Sequence, residues 1–260
     1  MGQYFLTCEW ALSAMIDAAH LAPTDTVLEI GPGTGVLTRA LAKRVKKVIA
    51  IEKDETLARA LTRQLTTERI TNVKILEGDI LTQMPPMSVP YKVVANIPYY
   101  LTARLLRLLL EEQKEKPSDI VIMIQQEVAK RIIAKPPHEN LLALSVQVFG
   151  TPTLIATIPA SCFAPQPDVD SAILSVSDIS DNFFLGHRID AQQFFRLARL
   201  GFSQKRKMLI NSLSSIMDKP SLTQLFSRLG INQKIRPEEL SHEQWAILTR
   251  CLNVVIPKQK

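Results

Sequence analysis

Short apolar runs alternate with amphipathic stretches along roughly the first two thirds of the chain. The runs are rich in Val and Ile and are apolar at nearly every position, which favours strands buried on both faces. Between them, stretches such as VLTRALAKR and DETLARALTRQL place apolar residues at helical spacing. This alternation predicts an α/β fold, in which a mostly parallel sheet carries helices on both faces.

The predicted strands share this apolar character and are separated by helices or turns. In chain order they are VLEIG, KVIAIE, NVKILEGD, YKVVANIP, DIVIMIQ, TLIATIP and SAILSVS. The last two are separated by the proline-rich FAPQPDVD rather than by a helix, so we expect them to extend the far edge of the sheet in antiparallel orientation.

The pattern changes near residue 180, beyond which the remaining periodic stretches are all helical. They include DAQQFFRLARLGF, KRKMLINSLSSIM, SLTQLFSRLG and HEQWAILTRCLN, and SDISDNFFLGH before them is predicted to be a linker. We therefore predict two domains, an α/β domain at 1–180 and a small all-helical domain at 181–260.

Composition narrows the class of protein. Among 260 residues, 46% are hydrophobic and nine are glycine, which favours a compact globular protein over a disordered one. No apolar run is long enough to span a bilayer, and no leader precedes the first helix, so we expect a cytoplasmic protein without a membrane partner. The three cysteines stand alone in the sequence, which predicts reduced thiols and no metal site. We expect a monomer.

The charge is basic, with a net value of +6 and a pI of about 9.3. Basic residues cluster in KRVKK, AKRIIAK and SQKRKM. Such clusters are either solvated faces or contacts to nucleic-acid phosphates, and charge alone does not decide between the two.

A glycine-rich loop, EIGPGTG, follows the first strand of the predicted sheet and precedes a helix. Its glycines Gly31, Gly33 and Gly35 allow a sharp turn and a close approach of the backbone to a ligand. In the dinucleotide fingerprint GxGxxG the third glycine would stand at position 36, where this chain has Val36. The loop therefore predicts a nucleoside cofactor but matches nicotinamide dinucleotides imperfectly.

Acidic residues stand at three successive strand ends, namely Glu29, Glu52 and Asp79. Three carboxylates disfavour a phosphate ligand and favour one with positive charge and several N–H or O–H donors. S-adenosylmethionine has this chemistry, with a sulfonium, an ammonium, a ribose diol and an adenine amine. The alternative is that Glu52 and Asp79 only cap the following helices.

The stretch NIPYY ends the fourth strand, which would place it beside the sulfonium. An adenine amine is a poor nucleophile, because its lone pair is delocalised into the ring. Two acceptors, the Asn96 side-chain oxygen and the Ile97 carbonyl held by Pro98, could free that lone pair. Tyr99 could stack on the base once it has left its own stack. The alternative is a plain turn with surface tyrosines.

Several stretches together resemble the small-subunit ribosomal RNA adenine dimethyltransferases of KsgA type. They are GQYFL, EIGPGTGVLT, IEKD, GDIL, NIPYYLT, QQEVAKR, FAPQPDVDSAI, FSQKRKMLINSL and RPEELSHEQW, and they span nearly the whole chain in order. The resemblance implies a Rossmann-like methyltransferase sheet and a helical RNA-binding domain. It also implies S-adenosylmethionine-dependent N6-dimethylation of two neighbouring adenosines near the 3′ end of small-subunit rRNA, with a role in assembly of the small subunit.

The resemblance also implies roles for individual residues. The N-terminal segment would close over the methionine end of the cofactor, Glu52 would hold the ribose, Asp79 the adenine amine and Asn96 the target base. Phe163 would stack on the base opposite Tyr99, although a core position is the alternative. From the residues and the resemblance together, the predicted cofactor-binding residues are Gln3, Tyr4, Leu6, Glu29, Gly31, Gly33, Glu52, Asp79 and Asn96. The RNA-binding residues that the resemblance implies are Lys205, Arg206 and Lys207.

Other readings of the sequence remain open. Related methyltransferases act on large-subunit rRNA, and relatives of the same fold serve as assembly or transcription factors without turnover. A nicotinamide oxidoreductase is a third reading, which the missing third glycine and NIPYY disfavour. For the first reading the expected partner is small-subunit rRNA or the pre-assembled small subunit.

Overall fold

The structure, a computed structural model, describes residues 4–87, 90–204 and 207–252. Contacts between Cα atoms divide the chain into two compact units. One contains the chain up to Lys130 together with Gly150–Ser180, and the other contains Arg131–Phe149 together with the chain from Asp181 onward. The segment Arg131–Phe149, which falls within the predicted first domain, therefore groups with the helical unit. Its apolar side chains pack among helices that lie far from it in sequence, which a linear reading of the chain does not show.

Within the described residues, nine strands and eleven α-helices are present. The strands are β1 Phe5–Leu6, β2 Thr26–Ile30, β3 Lys47–Glu52, β4 Val73–Glu77, β5 Lys92–Asn96, β6 Asp119–Gln125, β7 Thr151–Ile158, β8 Phe163–Ala164 and β9 Ser171–Ser177. The helices are α1 Glu9–Ala18, α2 Val36–Ala42, α3 Glu55–Thr67, α4 Thr102–Arg107, α5 Gln126–Ile132, α6 Leu141–Gln147, α7 Asn182–His187, α8 Ala191–Phe202, α9 Leu209–Leu213, α10 Lys219–Arg228 and α11 His242–Leu252.

The first unit is built on a sheet with strand order β4-β3-β2-β5-β6-β9-β7 across the part of the chain that is described. Strands β2 to β6 pair in parallel, whereas β9 pairs antiparallel with both β6 and β7. The predicted α/β fold and its antiparallel edge are confirmed. Strand order reverses between β2 and β5, and the carboxyl ends of strands beside such a reversal are where open α/β sheets bind ligands.

The core of this unit follows from strand periodicity. Val27 on β2, Val48 and Ala50 on β3 and Val94 on β5 point to one face and pack in a cluster with Met15 of α1. All of these side chains are fully buried. Burying a side chain of this size contributes about 1.5–3 kcal/mol, so the cluster holds α1 firmly on the sheet.

Helix α3 begins where the sequence predicts. The Asp54 carboxylate accepts hydrogen bonds from the backbone N–H groups of Thr56 and Leu57, which otherwise lack partners at a helix start. A cap of this kind contributes about 1 kcal/mol. It also fixes the turn directly after Glu52.

The helical unit has an aromatic core. Phe149, Phe184, Phe194 and Phe195 contact one another with ring centroids 5.1–5.9 Å apart. In α11 Trp245 is completely buried. Pairs of this geometry contribute about 0.5–1.5 kcal/mol beyond the area that they bury.

Two local predictions in this unit are wrong. The expected linker SDISDNFFLGH contains helix α7, because Phe184 is buried in the aromatic core and so gives the segment a tertiary anchor. The expected long helix KRKMLINSLSSIM is reduced, in its described part, to Leu209–Leu213. There the hydroxyls of Ser214 and Ser215 donate to backbone carbonyls three residues earlier, which favours a turn over continued helix.

The prediction of three isolated thiols is also wrong, since Cys8 and Cys162 form a disulfide across 154 residues of sequence. Strand β1 pairs antiparallel with β8, with Leu6 opposite Phe163, and this pairing places the two cysteines side by side. The Thr7 N–H donates to the Cys162 carbonyl at 2.9 Å. A contact between a chain end and a distant hairpin leaves no mark in the spacing of cysteines. Cys251 is free.

Among the described helices, none combines the length and the apolar character needed to cross a bilayer.

Candidate active site

A cavity of about 530 Å³ lies in the first unit, at the carboxyl ends of β2, β3, β4 and β5. Its walls are the residues that follow these four strands, together with the N-terminal segment and one face of α1. The volume lies within the range usual for sites that hold a small molecule or cofactor. Its position at the strand-order reversal agrees with the ligand site expected of this architecture.

The glycine loop forms one wall with a left-handed backbone. Gly31, Gly33 and Gly35 have φ values of 69°, 55° and 82°, which disfavour residues with a side chain. A Cβ built on Gly31 would meet no atom within 4 Å, so the glycine leaves open space in the wall. A Cβ on Gly33 would lie 3.2 Å from the Phe5 ring. The loop therefore forms a cradle in which backbone can approach a ligand closely.

Glu52 braces this loop from the end of β3. Its Oε2 accepts the N–H of Gly33 at 3.0 Å and its Oε1 accepts the N–H of Asp54 at 2.9 Å. The residue is buried, yet it lines the cavity. Each carboxylate oxygen can accept more than one hydrogen bond, so Glu52 can both hold the loop and accept hydroxyl groups of a ligand.

Asp79 follows β4 and is held by a lysine and a backbone amide. Lys53 Nζ donates to Asp79 Oδ2 at 2.9 Å, and the Leu81 N–H donates to Oδ1 at 3.0 Å. The hydrogen bond from Lys53 and then that from Leu81 keep the pKa of Asp79 below its usual value. An ionised acceptor therefore stands at this end of the cavity, as an exocyclic amine would need.

Glu29, near the end of β2, is in a different state. It is 1% exposed, and its Oε2 has no hydrogen-bond partner in the structure. Burial raises the pKa of Glu29 to about 8, the nearby Thr38 hydroxyl lowers it in part, and the charge of Glu52 raises it again. The Thr38 hydroxyl therefore offsets part of the effect of burial. At neutral pH this carboxyl is largely protonated.

The segment after β5 carries an amide beside an aromatic pair. Asn96 Nδ2 lies 3.5 Å from the Tyr4 carbonyl, and no described residue donates to Asn96 Oδ1. The Tyr99 hydroxyl bonds to Ser171 Oγ at 2.8 Å, and its ring centroid lies 5.6 Å from that of Tyr4. Burial raises the pKa of Tyr99, so its hydroxyl is neutral. Asn96 Oδ1 is thus available as an acceptor, and the hydrogen bond to Ser171 holds the ring of Tyr99 in place.

Phe163 combines both roles that the sequence left open. It is 5% exposed and belongs to the hydrophobic core, yet it lines the cavity. Strand β8, which carries Phe163, pairs with β1, which carries Leu6. The hairpin and the N-terminal segment therefore meet at one wall of the cavity.

The structure brings most of the predicted site residues to this one cavity. It is lined by Tyr4, Leu6, Glu29, Gly31, Gly33, Glu52, Asp79, Asn96, Ile97, Pro98, Tyr99 and Phe163. Three predicted residues, Gln3, Lys205 and Arg206, lie outside the described part of the chain. Lys207 is exposed in the helical unit and does not line the cavity.

Sequence reasoning missed several lining residues. Phe5 packs beside Gly33, Lys53 holds Asp79, and Leu12 and Met15 present one face of α1 to the cavity. The spacing of Leu12 and Met15 places them on a single helical face and could have been noticed, but not that this face borders a ligand site. The position of Lys53, directly after Glu52, was the available signal for its role.

Comparison with known proteins gives consistent matches. A family model described as "Ribosomal RNA adenine dimethylase" matches residues 1–253. A protein of Dehalococcoides mccartyi named "Ribosomal RNA small subunit methyltransferase A" is 42% identical over 258 residues, covering 97% of this chain and 86% of that protein. A protein of the same name from Rippkaea orientalis is 40% identical over 267 residues, covering 97% and 96%.

Solved structures show the same architecture. A dimethyladenosine transferase from Plasmodium falciparum superposes with a TM-score of 0.83 at 26% identity, covering 96% of this chain and 97% of that one. The 23S rRNA methyltransferase ErmE superposes with a TM-score of 0.73 at 24% identity, covering 96% and 99%. The second likeness is one of fold alone.

Proposed function

The chain belongs to the ribosomal RNA adenine dimethylase family, and on that basis we propose that it transfers methyl groups from S-adenosylmethionine to the N6 amine of adenosine in small-subunit rRNA. The observation that carries the proposal is the single cavity that holds acidic residues from three strands and the NIPYY segment. This combination suits a cationic nucleoside donor and an adenine acceptor. A nicotinamide reading leaves Asn96 and Tyr99 without a role.

The residues of the cavity fit this cofactor. The space beside Gly31 admits a ligand against the backbone, and Glu29, whose Oε2 accepts no hydrogen bond from the described residues, suits a ligand that carries a donor or a cation. In the proposed arrangement Glu52 accepts the ribose hydroxyls and Asp79 accepts the adenine amine. When bound, S-adenosylmethionine supplies an electrophilic methyl group on its sulfonium.

The acceptor side of the site is formed by the end of β5. Asn96 Oδ1 and the Ile97 carbonyl accept hydrogen bonds from the two N–H groups of the target amine, which localises the lone pair of that amine on its nitrogen. Pro98 restricts Ile97 to an extended conformation, and so aims its carbonyl. Tyr99 and Phe163 enclose the base, and a stacked base contributes about 1–3 kcal/mol.

The proposal extends to two neighbouring adenosines near the 3′ end of small-subunit rRNA, two methyl groups on each, and a role in subunit assembly. These follow from the resemblance of the motifs rather than from geometry. In the same proposal Lys205, Arg206 and Lys207 contact RNA phosphates, and the protein acts in the cytoplasm, where its substrate is made.

The test is direct methylation. Small-subunit particles and isolated small-subunit rRNA are incubated with the protein and methyl-labelled S-adenosylmethionine. The RNA is then digested to nucleosides, which are identified by mass spectrometry. We expect N6,N6-dimethyladenosine, with large-subunit rRNA as the control that should remain unlabelled. Labelled large-subunit rRNA would favour the related activity, and no label on any RNA would favour a non-catalytic factor.

An Asn96→Ala variant tests the mechanism. Losing one preorganised polar group should reduce the methylation rate by about 10²–10³-fold while leaving cofactor affinity nearly unchanged. The exposed Asn232, which lies in the helical unit, gives a matched Asn232→Ala control that should keep the wild-type rate. Near-normal turnover by Asn96→Ala would exclude the two-acceptor arrangement.

A further inference from the structure

Glu29 is a buried ionisable group whose Oε2 accepts no hydrogen bond from the described residues. It lines the cavity, it is 1% exposed, and the Thr38 hydroxyl is the polar group that acts on its carboxyl. A buried polar atom without a partner costs about 1–3 kcal/mol, so its presence at a cavity wall calls for a ligand that completes it.

The surroundings of Glu29 disfavour a carboxylate. The cavity wall that α1 and α2 contribute is apolar at Leu12, Met15 and Leu37, and the Thr38 hydroxyl acts on Glu29 directly. The charge of Glu52, on β3, repels a second anion. The other ionisable residues in the lining are Tyr4, Lys53, Asp54, Asp79, Tyr99 and Tyr100.

Of these, Lys53 is the lining cation, and it does not neutralise Glu29. Its Nζ is bonded to Asp79, and its side chain is 57% exposed to solvent. A carboxyl group that is removed from water and lacks a cation takes up a proton, which agrees with the raised pKa of Glu29.

We propose that the protonation state of Glu29 depends on the charge of the bound cofactor. Its carboxyl is neutral in the free protein and ionises when a ligand cation enters the cavity. Binding of a cationic ligand therefore releases a proton to solvent. The inference rests on the proposed cofactor. The O–H bond of the carboxyl breaks, the proton leaves to bulk water, and the carboxylate pairs with the cation. No other bond changes.

The cation is an alkylated onium group, either the sulfonium or the ammonium of S-adenosylmethionine. Pairing with it repays the cost of a buried charge, which a neutral ligand cannot do. Glu29 would therefore favour charged over uncharged nucleosides. If the sulfonium is the group that pairs with Glu29, its conversion to a neutral thioether on methyl transfer would return the proton to Glu29 and weaken retention of the product.

Calorimetry in buffers of different ionisation enthalpy measures the protons released per ligand bound. For wild-type protein at pH 7 we expect more protons released per S-adenosylmethionine than for the Glu29→Gln variant, up to one, and a clearly smaller excess at pH 9, where more of Glu29 is already ionised. The variant serves as reference because it cancels titration of the ligand's own amine. The exposed Glu9 gives a matched Glu9→Gln control that should release as many protons as wild type.

Two further ligands identify the cation that pairs with Glu29. S-adenosylhomocysteine keeps the ammonium and has a neutral sulfur, so release with it assigns the ammonium and absence of release assigns the sulfonium. Methylthioadenosine has neither cation and should release none. Equal release with methylthioadenosine would overturn the inference, since ionisation of Glu29 would then not depend on a cation in the ligand.

Failure of the inference is distinguishable from failure of the proposed function. If S-adenosylmethionine binds with the same proton count in wild type and Glu29→Gln, the ionisation of Glu29 on binding is refuted and the cofactor assignment stands. If folded wild-type protein does not bind S-adenosylmethionine at all, the proposed function fails. Should Glu29→Gln not fold, the wild-type comparison of S-adenosylmethionine with methylthioadenosine at pH 7 still decides, and equal counts refute the inference.

Discussion

The bond between Cys8 and Cys162 should stabilise the first unit strongly, and this can be measured. The two cysteines are 154 residues apart, so the bond closes most of that unit into one loop. We expect a Cys8→Ser variant to unfold more easily than wild type under oxidising conditions. Cys251→Ser is the matched control, because Cys251 is free and lies outside this unit.

The magnitude follows from the entropy of loop closure in the unfolded chain. For a loop of this length the chain-entropy relation gives about 5 kcal/mol, and measured effects of natural disulfides fall in the range of about 2–5 kcal/mol. For a unit of roughly 160 residues each kcal/mol corresponds to about 2–4 °C in Tm, so the expected loss is roughly 5–20 °C.

The assay is thermal unfolding of wild type, Cys8→Ser and Cys251→Ser, each with and without a thiol reductant. Reductant should lower the Tm of wild type and of Cys251→Ser, and should leave Cys8→Ser unchanged. Alkylation of native protein followed by mass spectrometry counts the free thiols, with one expected in wild type. Three alkylated cysteines in oxidised, folded wild type would refute the disulfide. A wild-type Tm that is unchanged by the reductant would refute its stabilising effect.

Two further predictions concern the glycine loop and Asp79. A Cβ on Gly35 would lie 2.3 Å from Leu61 Cδ1, and the backbone there has a φ of 82°. Gly35→Ala should therefore lose about 2–3 kcal/mol of unfolding free energy in a denaturant titration. Gly186→Ala is the control: it changes a helical glycine with nothing within 4 Å and should be neutral or stabilising, so equal effects of the two variants would contradict the steric argument. The hydrogen bond from Lys53 holds the pKa of Asp79 in the folded protein below its ordinary value of 3.8. The ionised Asp79 therefore stabilises the fold above pH 3.8, and this stabilisation is lost as the pH falls through the lowered pKa. The Tm of wild type should exceed that of Asp79→Asn by less below about pH 4, and a Tm difference that does not change with pH would exclude the ion pair as its cause.

Local signals were sufficient for much of the site. Gly31 and Gly33 were recognisable because a left-handed turn between a strand and a helix requires glycine, and the structure shows positive φ at both. Glu52 and Asp79 were recognisable because the carboxyl ends of parallel strands share one edge of a sheet. The spacing of apolar residues and the residue types of turns depend only on neighbours in sequence, so they can be recognised before the tertiary structure is known.

Contacts between distant segments were not predictable in the same way. The sequence predicts a linker where helix α7 lies, because the helix depends on Phe184 in an aromatic core assembled from several helices. Phe163 looked like either a core residue or a site residue, and it is both because the core and the cavity share a wall.

The alternation of strands and helices, the glycine loop, the acidic strand ends and the NIPYY segment can all be recognised from the amino-acid order, since each depends on residues within a few positions of one another. The contact of Cys8 with Cys162, the grouping of Arg131–Phe149 with the helical unit, and the burial of Glu29 with an Oε2 that accepts no hydrogen bond from the described residues become visible only in the folded chain. The physical reason is that pairing, burial and desolvation depend on which surfaces meet. A carboxylate that water would keep ionised becomes a neutral acid only once the fold has removed that water.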